Sequence, residues 1–146
     1  MPDIKNIHKP YGFLEFQPLL PIKNIDRNIK EILLLCKKFK TESLLCGVKL
    51  HKADEFFLSY QLDGFSLGID IQIKGKKRED IRSFSNDLFD LVSDCGGKIY
   101  LAKDEYMTNQ HLKRMYPNID LFLNLKNQYD NKGVFSSDLF KRILND

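Results

Sequence analysis

Phe65–Lys74, FSLGIDIQIK, alternates more cleanly than any other stretch of the chain. Phe65, Leu67, Ile69, Ile71 and Ile73 fall on one side of an extended strand, and Ser66, Gly68, Asp70, Gln72 and Lys74 fall on the other. The apolar side has to be covered by helices. The polar side faces water or lines a polar cavity, and the small Ser66 and Gly68 leave room for another group to approach. A strand with one dry and one wet face is the ordinary unit of an antiparallel sheet.

Upstream, Asp63-Gly64 is a turn signal, preceded by a connection from Ala53 that carries Phe56, Phe57 and Tyr60. Ser43 to Leu50 reads as a strand with Leu44, Cys46, Val48 and Leu50 on one face and Lys49 on the opposite face, near Gly47. A helix is expected from an N-cap at Asn24 to about Lys40, with Ile25, Ile29, Ile32, Leu33, Cys36 and Phe39 as its buried stripe. Before it, GFLEFQPLL (Gly12 to Leu20) alternates imperfectly. Leu14 and Phe16 share one face, and Phe13, Glu15 and Gln17 share the other. Pro18 limits this strand to an edge or marks its end.

Downstream, Glu79 to Cys95 repeats Ile81, Phe84, Leu88, Leu91, Val92 and Cys95 at helical spacing, and Gly96-Gly97 closes that helix. Lys98 to Ala102 should form a short strand whose residues from Ile99 on are mostly buried. Lys103 then emerges from an apolar strand beside Asp104, a position where a lysine meets something anionic or electron-rich. Thr108 to Tyr116 is a short helix stopped by Pro117, Ile119 to Tyr129 is another, and Ser136 caps a last one. The order strand, helix, strand, strand, helix, strand predicts an α+β fold. It is an antiparallel sheet covered by two amphipathic helices on one face, followed by a helical C-terminal tail whose apolar surface must dock.

The 146 residues, 42% of them hydrophobic, suffice for one core. A net charge of +3 spread along the chain leaves no footprint for nucleic acid. Three cysteines without a CxxC pair (Cys36, Cys46, Cys95) read as small buried hydrophobes in a reducing compartment. The first residues, MPDIKNIHKPYG, lack an apolar signal core, and no apolar run approaches ~18 residues, so a cytoplasmic location without a membrane span is expected. His8, His51 and His111 are isolated, which supports no metal site, and no GxSxG, phosphate-loop or GxGxxG pattern occurs. From residues alone the reading stops at an α+β domain, open to being a non-catalytic, stand-alone ligand-binding or protein-interaction module.

Three separated stretches carry the reading further: GGKIYLAKD (96–104), MYPNIDLF (115–122), and YDNKGVFSSDLFKRI (129–143) with its Asp130, Phe135, Asp138 and Arg142. Together they resemble the C-terminal end of FAD-linked oxidases of the vanillyl-alcohol oxidase class. The decaprenylphosphoryl-β-D-ribose oxidases are the nearer branch, and the aldonolactone and alditol oxidases the more distant one. The resemblance runs from Gly12 onward. It implies an FAD-dependent oxidoreductase that takes hydride from an alcohol carbon of a sugar or polyol-like substrate. Residues 1–97 would be the C-terminal half of a substrate-binding cap domain, and 98–146 a returning strand and helical tail that complete an FAD-binding domain.

By that likeness Tyr100 and Lys103 face the flavin as catalytic and cofactor-binding residues, since an ammonium there offsets the negative charge that reduction puts on the ring. Gln17, Glu15, Lys49, Ser66, Gly68 and Asp70 match substrate-pocket positions. Glu15 departs from the pattern where the nearer branch has glutamine, and Gly68 where mycobacterial-type relatives have a cysteine, which leaves the substrate open. The family's main FAD-binding segment has no counterpart in these residues. The expected partner is therefore an FAD-binding half on a separate or upstream polypeptide, without which the chain is expected to be inactive.

Overall fold

The structure is a computed structural model that describes residues 9–41, 43 and 45–144; His8 and Leu44 lie outside the described residues. Its centre is β4 (Gly64–Gln72), flanked on one side by β3 (Cys46–His51) and on the other by β1 (Phe13–Phe16) and β2 (Pro18–Pro21) lying end to end. Beyond β2 comes the two-residue β5 (Lys98–Ile99). All pairings are antiparallel.

The β1 and β2 pairings with β4 share one register: Phe16 faces Ile69, and after Gln17 and Pro18, Leu19 faces Ser66. Pro18 lacks the N–H that would continue the ladder, so it interrupts the hydrogen bonding without bulging the strand. The edge position expected for it is not what the fold shows. Pro18 is fully buried and faces Ile99, at a place where β2 lies between β4 and β5.

Helices α1 (Ile25–Lys38) and α2 (Arg78–Asp94) cover the apolar face. Phe16, Leu67, Ile69 and Ile71 pack there with Ile32, Phe84, Leu88, Phe89 and Val92. Phe16 meets Phe84 edge to face at 5.6 Å and Phe89 at 6.2 Å. The helix ends share one capping geometry. After α2, Gly97 N–H bonds Val92 O and Gly96 N–H bonds Ser93 O, with Gly96 at φ 75°. A Cβ on Gly97 would lie 2.6 Å from Leu19 O, so the second glycine lets the helix end touch the sheet. After α1, Lys40 takes the same left-handed place at φ 52°.

Several local expectations change. Asn24 stands at the α1 N-cap, but it is left-handed (φ 59°) and its side chain caps nothing. Leu33 is 60% exposed instead of joining the buried stripe; it borders an open crevice shared with Cys46 of β3. Cys46, Val48 and Leu50 on the edge strand β3 are exposed too, so only Cys36 is a buried cysteine, with Cys95 half-buried.

The strand expected to run to Ala102 ends at Ile99, and Leu101–Lys103 forms a 3-10 turn that leaves Ala102 exposed. In the tail, Thr108 caps α3 (Asn109–Met115), followed by α4 (Ile119–Tyr129) and α5 (Asp138–Leu144). Ser137, not Ser136, caps α5, its Oγ accepting Phe140 N–H at 3.1 Å. The tail docks on this same chain: α3 packs on α2, α5 packs on α3, and Ile143 is buried. Tyr116 of the MYP stretch is also buried, and its hydroxyl donates to Ile99 O at 2.6 Å. That bond ties the tail to β5. No described helix is long and apolar enough to cross a membrane.

Candidate functional site

On the face of the sheet away from the helices, the register sets residues in rows. Asp70 faces Glu15, and Gly68 faces Gly47. The shared β1/β2 register carries Gln17 opposite Gly68, and Tyr100 N–H donates to Gln17 O at 3.1 Å. The next row brings Lys49, Ser66, Leu19 and Lys98 abreast. Two facing glycines leave the middle of this face bare. A Cβ on Gly47 would meet nothing within 4 Å, and one on Gly68 would come no closer than 3.4 Å to Glu15 Oε1.

The result is a hollow of about 230 Å³ lined by Glu15, Gln17, Lys49, Ser66, Gly68 and Asp70 together with Phe13, Leu45 and Gly47. All six residues expected at a substrate pocket border it. Tyr100 and Lys103 stand at its flank and are not part of its lining.

Lys103 and Asp104, adjacent in the chain, separate. The 3-10 turn brings Lys103 Nζ onto Glu15 Oε1, a short ion pair with both side chains partly buried. Asp104 turns the other way. Its carboxylate is fully buried, accepts the N–H groups of Tyr106 (3.1 Å) and Met107 (2.9 Å), and holds Arg142 Nη2 at 2.6 Å. Arg142 also donates to Met107 O at 2.9 Å, so Asp104 anchors α5. The carboxylate beside Lys103 is thus structural, and the one Lys103 meets comes from β1.

Gln17 and Lys49 both line the hollow. Gln17 is 7% exposed; its backbone oxygen accepts from Tyr60 and Tyr100, and its side-chain amide is within hydrogen-bond reach of the Tyr60 hydroxyl. Lys49 has no ion pair or hydrogen bond among the described residues.

Sequence reasoning missed a group beside the hollow. His51 Nε2 lies 2.8 Å from Ser66 Oγ and its Nδ1 lies 2.7 Å from Gln61 Oε1. The Tyr60 hydroxyl donates to Gln17 O at 3.0 Å, and its ring packs against those of Tyr100 (5.0 Å) and His51 (5.6 Å). Burial pushes the Tyr60 phenol pKa up, against the opposing pull of hydrogen bonds with Ser66 and Gln17. Lys98, donating to the backbone of Ser59 (2.6 Å), has its pKa lowered by desolvation. His51 was within reach of the period-two count, two residues past Lys49 on the same face, had the strand been extended by one residue. Tyr60 and Gln61 come from an irregular connection and carry no such signal.

The profile of the family described as D-arabinono-1,4-lactone oxidase matches residues 10–143. Over 133 residues the chain is 30% identical to decaprenylphosphoryl-beta-D-ribose oxidase of Mycolicibacterium smegmatis, a span of 90% of this chain and 28% of that protein. Over 87 residues it is 29% identical to a Streptomyces coelicolor protein described as "Uncharacterized protein in mprA 5'region", covering 60% of this chain and 23% of that one. The chain spans less than a third of the length of these relatives.

Proposed function

The chain belongs to the D-arabinono-1,4-lactone oxidase family and corresponds to the C-terminal part of an FAD-linked oxidase; from that premise we propose that its polar sheet face closes over substrate and flavin in the oxidation of a sugar or polyol-like alcohol. The observation that carries the proposal is the glycine-floored hollow lined by the polar side chains of Glu15, Gln17, Lys49, Ser66 and Asp70, in which Lys49 has no ion pair or hydrogen bond among the described residues. Such groups ask for a ligand rich in hydroxyls or carbonyls.

The residues fit FAD in part. At about 230 Å³ the hollow falls below the ~300–1,000 Å³ of whole-ligand sites, so it suits a substrate and one edge of a ring system. The rest of the cofactor would then rest on polypeptide outside these residues. FAD, when bound, accepts the hydride of the alcohol carbon.

The chain's own residues position and discriminate. Lys103, held by Glu15, presents positive charge at the flank of the hollow, and Tyr100 supplies a flat wall braced by Tyr60. Gln17, Lys49, Ser66 and Asp70 offer hydrogen bonds to hydroxyls, and Gly68 keeps the floor low enough for a ring to lie close. Residues 1–97 act as the cap half and 98–146 as the return to the flavin side. The flavin-bearing polypeptide seats against the open edge of β3, where Val48 (59% exposed) and Leu50 (66% exposed) leave apolar surface uncovered.

The test is to copurify the chain with the flavin-bearing polypeptide and record the visible spectrum before and after anaerobic addition of D-arabinono-1,4-lactone or a polyol. A yellow complex bleached by one of them is expected. A colourless preparation in which the two do not associate would favour a non-catalytic binding module.

A further inference from the structure

Among the described residues, Ser66 is the hollow-lining side chain that is hydrogen-bonded to an imidazole. With Gln61 Oε1 as the acceptor of the 2.7 Å contact, the His51 proton belongs on Nδ1. Nε2 is then left with a lone pair, 2.8 Å from Ser66 Oγ, and accepts the serine proton. The only Tyr60 hydroxyl proton is committed to Gln17 O. Of the two acceptors beside it, the Tyr60 oxygen and the imidazole, Ser66 Oγ donates to Nε2 at 2.8 Å and keeps lone pairs for a hydroxyl entering the hollow. A base oriented by a third group and joined to a hydroxyl at the pocket wall is the arrangement that proton abstraction needs.

We infer that His51, acting through Ser66 and oriented by Gln61, is the proton acceptor for the alcohol oxidised in this hollow, an assignment that rests on the oxidase reading above. The alcohol's C–H bond breaks with its electron pair leaving to the flavin as hydride. Its O–H bond breaks and that proton passes to Ser66 Oγ, while the proton of Ser66 passes to His51 Nε2. The oxygen's freed pair forms the C=O bond. The products are a carbonyl, reduced flavin and an imidazolium that later returns its proton to water. Charged groups around the imidazole are Lys49 two residues back on β3, Lys98 on β5, bonded to Gln61 O at 3.4 Å, and Asp63 in the turn before β4, bonded to Ala53 N at 3.2 Å.

The first measurement needs no flavin. In the 15N-labelled chain at neutral pH, the His51 ring should show Nδ1 protonated and Nε2 bare, and Gln61→Leu should shift it toward the other tautomer. An Nε2–H ring in the unaltered chain would overturn the assignment, since no lone pair would face Ser66. The second uses the flavin-loaded assembly with D-arabinono-1,4-lactone as probe. His51→Gln, which can still hydrogen-bond Ser66 but cannot take its proton, should slow bleaching about 10²-fold or more and flatten its pH profile. Ser66→Ala should do the same with the chain still folded by circular dichroism. Unchanged rate and profile in His51→Gln would remove the proton role and leave the oxidase reading standing. Failure of the unaltered assembly to bleach with any lactone or polyol would remove both.

Discussion

On the helix side of β4, Leu67, Ile69 and Ile71 are closed off by the aromatic and aliphatic residues of α2. On the other side of the same strand, Ser66, Gly68 and Asp70 border an open hollow with the amide of Gln17 opposite. One face is closed by helices among the described residues, and the other is left open in front of the sheet. Alternate residues of a single strand therefore carry two separate kinds of information: the apolar ones hold the sheet against its helices, and the polar ones shape the space in front of it. Lys103 and Asp104 repeat the division in two adjacent residues. Asp104 is fully satisfied inside the fold, while Lys103 reaches out to Glu15 at the border of the hollow.

If that division holds, substitutions on the two sides should differ in what they damage. The largest loss of stability should come from Phe84→Ala, which empties the space between Phe16 and Phe39 at roughly 3–5 kcal/mol, read as a fall in the urea midpoint. A loss under about 1 kcal/mol would mean that the apolar face is poorly packed. Asp104→Ala comes next. It strands Arg142 and two backbone N–H groups, and should cost about 3 kcal/mol and expose α5 to proteolysis before the sheet melts.

Changes in front of the sheet should reverse the pattern. Lys103→Ala and Glu15→Gln break a partly exposed pair, so the urea midpoint should move by less than about 1 kcal/mol. Both should slow substrate bleaching of the flavin-loaded assembly at least tenfold. Equal losses in both measurements would make the pair structural.

The smallest effect concerns pH. The Lys126 ammonium, hydrogen-bonded to Asp130 at 2.6 Å, holds that carboxyl below the usual carboxylate range, helped by the N–H groups of Val134 and Phe135. A carboxyl with a depressed folded value contributes stability above the ordinary range near pH 4, and that stability is lost as pH falls through the depressed value. Amide exchange at Val134 and Phe135 should therefore quicken at pH 2–3, while the core amides of β4 stay protected.

Much of this was legible in the residues. The alternation of Phe65–Lys74 assigned both faces of β4, and the three-four spacing placed α1 and α2, because each pattern reports burial directly. The rest depended on neighbours. Pro18 reads locally as the end of a strand, but the register of β4 carries the chain straight through it. Tyr100 to Ala102 have strand-forming side chains, yet the pairing fades after Gln17 and the backbone tightens into a 3-10 turn. Val48 and Leu50 look like core residues, yet they lie 59% and 66% exposed on the edge strand β3. The His51 group escaped notice because two of its members come from a connection without period.

The unbroken pairing across Pro18 makes the front of the molecule vulnerable to a change in length. Deleting a single amino acid between Glu15 and Pro18, with the pairing beyond Pro18 held in place, would rotate everything before the cut by half a turn. Glu15 would be thrust among the aromatic rings behind the sheet, and Leu14 would take its place before Lys103. No exchange of one side chain for another could invert the pocket in that way, so the spacing of this segment should tolerate no insertions or deletions.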